Sequence, residues 1–362
     1  MRGVEIDVAA RTARVQAGTL WLEVTEAATP HGLYPLSGSS PDVGVVGYTL
    51  GGGLSWLARK HGLAANHVIA IELVTPDGRL VRATADEHAD LFWALRGGGG
   101  SFGVVTAMEL RLLPHAAVHA GMFLWPYDRH AEVLRVWRDW TRTAPDEITT
   151  SCRIMHFPPL PELPPFLSGR SVVVIDGAFT GTAKAGAEVV APLRALGPEL
   201  DTWAPASPAA LSRIHMDSEE PIPYLSETLM ADALDDAALA AFAAPIRPGS
   251  PLMAGEIRHL GGAVGRVPAG AGAAGSLGGE YLLFGAGMLM GPESAAPVQA
   301  ALAEFKAAMA PYGNGAAYLN FAERPADPAT FYSDASYARL RAIRAAVDPD
   351  GRMVGNHPIP AS

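Results

Sequence analysis

The stretch GVVGYTLGGG, residues 44–53, places five glycines in ten positions. Glycine loses more backbone freedom on folding than any other residue. A chain accepts such a run where main chain must pack closely, or where bare amides must face an anion or a flat ring. A second run, Gly97–Gly103, follows within the first 103 residues. Two such loops suggest a nucleotide-like ligand lying against backbone.

The second run, GGGSFG at 98–103, formally matches G-x-G-x-x-G. That fingerprint needs a strand before it and a helix after it, so that the helix N-terminus can hold pyrophosphate. Here a helical Leu91–Leu95 precedes and a strand-like Val104–Leu110 follows. The order is reversed, and the plainer reading is a tight helix-to-strand turn.

The first third is dense in strand signals. Val4–Val8 and Thr12–Ala17 alternate and read as a hairpin. Leu20–Thr29 has helical spacing. Val68–Thr75 and Arg79–Ala83 flank the turn Pro76-Asp77-Gly78. Asp86 is placed to cap a short helix ending at Leu95, and Val104–Leu112 alternates as a strand. Further on, helices are predicted over Ala131–Thr141, Ala183–Leu196, Asp235–Ala244, Ser294–Met309 and Tyr337–Val347. Strands are predicted over Val172–Phe179, Met253–Leu260, Tyr281–Met290 and Ala317–Phe321. Gly261–Gly279 reads as a mobile surface loop. The order suggests an α+β fold, an antiparallel sheet covered by helices.

Composition removes several classes of function. A net charge of −10 over 362 residues leaves no electrostatic footprint for nucleic acid or anionic lipid. The single cysteine, Cys152, excludes an internal disulfide framework and a cysteine-cluster metal site, and no metal is expected. No apolar run approaches the ~18 residues of a membrane span, and no signal peptide opens the chain. A cytoplasmic location is expected, with an export signal in an upstream segment left open.

Several long words narrow this further. They are RTARVQAG (11–18), HGLYPLSGSSPDVGVVGYTLGGGLSWLARKHGLAANHV (31–68), LVTPDGRLVRA (73–83) and DLFWALRGGGGSFGVVTAMELRL (90–112). YLNF (318–321) and YARLRAIRAAVDPDGRMVGNHPIP (337–360) stand near the end. Together they resemble the berberine-bridge-enzyme-like branch of the FAD-linked oxidases, of the PCMH or vanillyl-alcohol-oxidase fold. The resemblance implies FAD as cofactor. It also implies an FAD-binding part made from residues 1–115 plus a returning C-terminal segment, 322–362. A middle domain, 116–321, would roof the flavin with an antiparallel sheet and form the substrate pocket. Carried over residue by residue, the flavin-contacting positions are Ser39, Ser40, Val43, Gly44, Gly47, Gly51, Gly52, Gly53, Gly62, Asn66, Val104, Val105 and Asn356.

Four departures from the family pattern qualify the expected chemistry. Ser40 stands where bicovalent members carry a flavin-linked cysteine, so no cysteinyl thioether can form. The family's leading segment, with its pyrophosphate loop and often a flavin-linked histidine, precedes the point that Met1 matches; an internal start or a natural truncation is expected. Phe321 replaces the tyrosine base that ends Y-x-N-Y, and the glutamate base of other members falls near Leu282. Candidates for proton handling on nearby strands are Glu256, His259, Tyr281 and Tyr318, for each of which a buried structural role is the plainer reading. Val43 resembles the small gatekeeper that admits oxygen; a core valine is the plain alternative.

The resemblance thus implies hydride transfer from an alcohol, a sugar or a secondary metabolite to flavin N5, with O₂ as acceptor. The alternative is a truncated or non-catalytic protein of the same fold.

Overall fold

The computed structural model describes residues 1–161, 163–217 and 222–361. Two antiparallel sheets organise them. The first sheet holds β1 (Val4–Asp7), β2 (Thr12–Gln16), β3 (Val68–Val74), β4 (Leu80–Ala83) and β5 (Val104–Arg111), in the order β1-β2-β5-β3-β4. Alternation buries one side of these strands: Ala13 and Val15 of β2 and Met108 and Leu110 of β5 point into a core shared with helices α1 (Trp21–Ala28), α2 (Val45–Leu50) and α4 (Ala89–Leu95). The C-terminal helix α9 (Asp334–Val347) returns to this core through Leu340 and Ile343, and the tail adds Ile359.

The second sheet has eight strands. They are β6 (Val118–Pro126), β7 (Ile148–His156), β8 (Ser171–Phe179), β9 (Leu200–Asp201), β10 (Ala204–Ala206), β11 (Tyr224–Ala231), β12 (Ala254–His259) and β13 (Tyr281–Met288). Their order is β10-β6-β8-β7-β12-β13-β11, with β9 also pairing with β6. Helices α5 (His130–Thr141), α6 (Ala183–Arg194), α7 (Asp236–Ala243) and α8 (Ala295–Met309) cover one face. Trp137, Val190, Phe242 and Phe305 from these helices meet Trp125, Cys152, Ile175, Ile257 and Leu283 from the strands. Because side chains alternate along a strand, the residues between these apolar positions point to the other face. There Arg153 pairs across the strands with Glu256, and Ser151 stands opposite Asp176 and Arg258. This second face packs on residues 54–64, where Leu54 and Leu63 meet Met230 and Leu282.

The α+β class and the helix-covered antiparallel sheet agree with the sequence reading. Three local expectations are corrected. Ala317–Phe321 is not a strand: Leu319–Phe321 forms a 3₁₀ turn, because the Tyr318 hydroxyl and the Asn320 side chain bond back onto the first glycine run. Gly261–Gly279 is not a loose loop. Val264, Ala273, Ala274 and Leu277 are buried, Leu277 N–H donates to the Val264 carbonyl, and Ala273 N–H donates to that of Trp93. Its small residues serve contact, since a Cβ on Gly272 would lie 2.3 Å from the Arg96 carbonyl oxygen. Asp86 does not cap α4. The helix starts after His88, which adopts φ 51°, while Thr84 Oγ1 accepts from the Asp86 and Glu87 amides.

Candidate active site

The loop Ser39–Gly44 leaves the buried Tyr34–Ser37 segment and leads into α2. Main-chain bonds fix its far end: Trp21 N–H donates to the Val43 carbonyl, and Val45 N–H to that of Thr19. Ser40 Oγ donates to Asp42 Oδ1 at 2.8 Å. Val43 is half-buried and packs on the first core.

The glycines divide into two kinds. At Gly44 and Gly47, a Cβ would meet nothing within 4 Å, so this stretch of main chain is open. At Gly51 a Cβ would lie 1.8 Å from Asn320 Oδ1, and at Gly53 it would lie 2.5 Å from the Tyr48 ring. Gly52, with φ 116°, lies under Tyr318. The triple glycine therefore admits the Tyr318–Phe321 turn, and its strain-free φ values of 116° and 81° suit glycine alone. Gly62, at φ 79°, ends the short helix α3 (Ala58–His61). Asn66 donates through Nδ2 to the Gly275 carbonyl, while its buried Oδ1 has no partner. Val104 is 59% exposed at the start of β5, its neighbour Val105 is buried, and Asn356 is exposed in the tail.

The four candidate proton-handling residues fall into different places. Tyr318 is buried over the glycine run; its oxygen accepts from Gly53 N–H and from Asn320 Nδ2, both at 3.0 Å. Burial raises its pKa, so the phenol keeps its proton. The Phe321 ring stacks on Tyr318 and meets Phe284 edge-on. His259 and Tyr281 point to the helix-covered side of the sheet. There the two rings stack, His259 Nδ1 lies 3.1 Å from the Arg59 guanidinium, and the Tyr281 hydroxyl bonds that of Thr141. Burial and Arg59 hold His259 well below its ordinary pKa.

Glu256 lies on the other face of the sheet, within a buried charge network. Arg258 Nε donates to its Oε1 at 2.6 Å, and His215 Nε2 stands 3.6 Å from its Oε2. His215 Nδ1 lies 2.8 Å from Asp176 Oδ2, which also binds the Arg153 guanidinium, and Ser151 donates to Asp176 Oδ1. Burial works against the charges of Glu256 and Asp176, yet the facing cations hold both carboxyls below their ordinary range. Arg258 reaches out of the network. Its guanidinium carbon lies 5.2 Å from the Phe321 ring centre and 5.9 Å from that of Trp56. Ser39 Oγ lies 3.5 Å from Arg258 and donates to Asp217 Oδ2 at 3.1 Å. Ser39, expected from the sequence to contact the cofactor, is thus tied to the charged face of the second sheet.

Sequence reasoning missed His215, Asp176 and Arg153. One signal was present. Asp176 interrupts the apolar run VVVIDGAF, and a charge at a strand centre needs a partner.

Comparison with known proteins agrees with this architecture. Residues 1–84 match the family described as FAD binding domain. An uncharacterized FAD-linked oxidoreductase of Bacillus subtilis is 32% identical over 156 residues, covering 42% of this chain and 35% of that protein. (R)-6-hydroxynicotine oxidase of Paenarthrobacter nicotinovorans is 38% identical over 127 residues, covering 34% of this chain and 28% of that one. The matched stretches thus span about a third of these relatives' length. Among solved structures, 6-hydroxy-D-nicotine oxidase from Arthrobacter nicotinovorans matches at TM-score 0.87 and 23% identity, over 100% of this chain and 81% of that one. Berberine bridge enzyme from Eschscholzia californica matches at TM-score 0.83 and 18% identity, over 99% and 79%.

The fold is therefore that of the PCMH-type FAD-linked oxidases, with an FAD-binding domain at the N-terminal end. The berberine-bridge-enzyme-like resemblance read from the sequence stands. The residues present fit that cofactor. Gly44 and Gly47 leave a cradle that side chains would fill, and Asn66 Oδ1 is a buried acceptor in want of a donor.

Proposed function

We propose that the chain is an FAD-dependent oxidase acting on a small alcohol, sugar or secondary metabolite, with O₂ as electron acceptor. One observation carries the reading: open main chain at Gly44 and Gly47 adjoins a loop already tied through Ser39 to a charged sheet face. The names of the relatives, FAD-linked oxidoreductases and an oxidase, support it. Residues 1–115 and 322–362 would hold the cofactor, and residues 116–321 would form the substrate side.

FAD would lie along Ser39, Ser40, Val43, Gly44 and Gly47, with Gly62, Asn66, Val104, Val105 and Asn356 completing its contacts. Gly51, Gly52 and Gly53 would support it indirectly, by seating Tyr318 and Asn320. When bound, FAD supplies a two-electron acceptor for a hydride and returns the electrons to O₂. The chain itself orients and excludes water. Phe321 and Trp56 both present aromatic rings to Arg258, and Phe321 has no proton to exchange. Glu256 stays ionised on Arg258 and fixes that guanidinium, while Tyr318 stays protonated. His259 and Tyr281 serve packing. Ser40 keeps its hydroxyl on Asp42 and forms no bond to the cofactor.

Purified chain incubated with FAD and freed of excess ligand should retain a structured 350–500 nm flavin band. It should then release peroxide with one member of a panel of alcohols, sugars and aromatic metabolites. Retention of no flavin would overturn the reading.

A further inference from the structure

The charged face carries a residue that the functional reading leaves unexplained. His215 is buried on the segment before β11 and sits at the centre of the network. Every element packed around it presents a charge or a hydrogen-bonding group. Arg153 and Ser151 come from β7, Asp176 from β8, and Glu256 and Arg258 from β12. Asp217 lies on its own segment, 3.9 Å away. Trp56 covers its ring at 5.4 Å between centres, and Arg153 also donates to its carbonyl at 2.9 Å.

The arithmetic of charge is specific. Three carboxylates, Asp176, Glu256 and Asp217, face two guanidiniums, Arg153 and Arg258. Among the described residues the cluster is neutral only when His215 carries a proton. Asp217 is one-third exposed, so the surplus is partly solvated, yet an unbalanced carboxylate against the buried pair is still costly, and the group that would yield is the long Arg258 arm reaching Ser39.

We propose that His215 is a positioning residue of this site: as an imidazolium between Asp176 and Glu256, it balances the buried carboxylates. It thereby keeps Arg258 and Ser39 in place against the flavin loop. It touches neither substrate nor cofactor in this role. The role of the loop rests on the FAD reading above, whereas the charge balance does not.

The sign of the pH effect follows. Burial, Arg153 and the Arg258 Nη2 that lies 3.4 Å from His215 Nε2 oppose protonation, but Asp176, Glu256 and Asp217 outweigh them and push His215 up to about 9. A raised folded pKa gives stability that is complete below the ordinary histidine range and is lost as pH rises through about 9.

The test uses H215Q and the double variant D176N/H215Q, which removes one cation and one carboxylate together. Wild-type melting temperature should fall between about pH 8 and 10. H215Q should melt lower at pH 7 and lack that alkaline fall. The double variant should recover towards wild type, which a purely steric role for the ring would not produce. FAD affinity, read by quenching of flavin fluorescence, should weaken about tenfold in H215Q and return in the double variant. An alkaline fall retained by H215Q, or a double variant no more stable than H215Q, would overturn the proposal, as would failure of both variants to fold. Should wild type bind no FAD, the functional reading fails and the melting comparison alone decides this one.

Discussion

The two glycine-rich stretches look alike in sequence and behave differently in structure. In Gly97–Gly103 three glycines, Gly97, Gly98 and Gly103, are filled positions, while Gly99 is in ordinary contact and Gly100 is open. A Cβ on Gly98 would lie 2.3 Å from the Ala94 carbonyl oxygen and 2.7 Å from Leu340, and one on Gly103 would lie 2.7 Å from the Val74 carbonyl oxygen. These glycines let β3, α4 and α9 approach one another. In Gly44–Gly53 the last three glycines are filled in the same sense, by Asn320, Tyr318 and Tyr48, whereas Gly44 and Gly47 face open space. Glycine density therefore marks close backbone approach in general. The proposed function puts the cofactor where open main chain, at Gly44 and Gly47, adjoins the Ser39 loop.

Substitutions should separate the two kinds. The largest effect is expected at Gly103→Ala. Its φ of 151° disfavours a side chain, and the opposing Val74 carbonyl belongs to a sheet ladder that cannot yield. A loss of about 3 kcal/mol or more in urea denaturation is expected, the sum of overpacking and backbone strain. Gly53→Ala should lose about 2–3 kcal/mol by the same measure, since Tyr48 and Ala64 both crowd the position. If either variant is as stable as wild type, the close-packing account of these glycines is wrong.

Asn320→Ala tests whether the filled half is held by hydrogen bonds as well as by shape. The side chain donates to the Tyr48 carbonyl at 2.8 Å and to the Tyr318 hydroxyl at 3.0 Å. Its loss should cost about 1–2 kcal/mol, with Tyr318 fluorescence or hydrogen exchange at Gly53 reporting the loosened turn. At the other extreme, Gly47→Ala should change stability by less than about 1 kcal/mol, and in the stabilising direction, because the residue lies inside a helix with free space around it.

Acid should act on the face opposite this loop. Glu256 and Asp176 have folded pKa values held below the ordinary carboxylate range, so their contribution is present above about pH 4. It is lost as pH falls towards the folded values. Glu256→Gln should flatten the acid limb of the melting curve; an unchanged acid limb would show that the network adds nothing to stability.

Much of this was legible in the sequence. Alternation gave β2 and β5, and helical spacing gave α5, because each buries one clean apolar face, while β8 showed as an apolar run because both of its faces are buried. The glycine words pointed to the right family of folds. The strands β6, β7 and β11 were not read. In β7, ITTSCRIMH, polar Thr149, Ser151 and Arg153 alternate with Thr150 and Cys152, so the buried face is not plainly apolar. The site was half legible for a related reason. Ser39, Gly44 and Glu256 could be nominated from single words, but the network residues His215, Asp176 and Arg153 come from segments that only the fold brings together. His259 and Glu256 stand three residues apart in one strand. Their odd separation puts them on opposite sides of the sheet, a consequence of the strand's alternation.

The most direct measurement compares FAD dissociation constants of wild type, Gly47→Leu and the exposed control Gly278→Ala, by titration against flavin fluorescence. Wild type and the control should bind one FAD per chain with equal affinity. Gly47→Leu should melt near wild type and bind at least about tenfold more weakly, because its side chain occupies the open main-chain cradle. Equal affinity in all three would contradict the placing of the cofactor over Gly44 and Gly47.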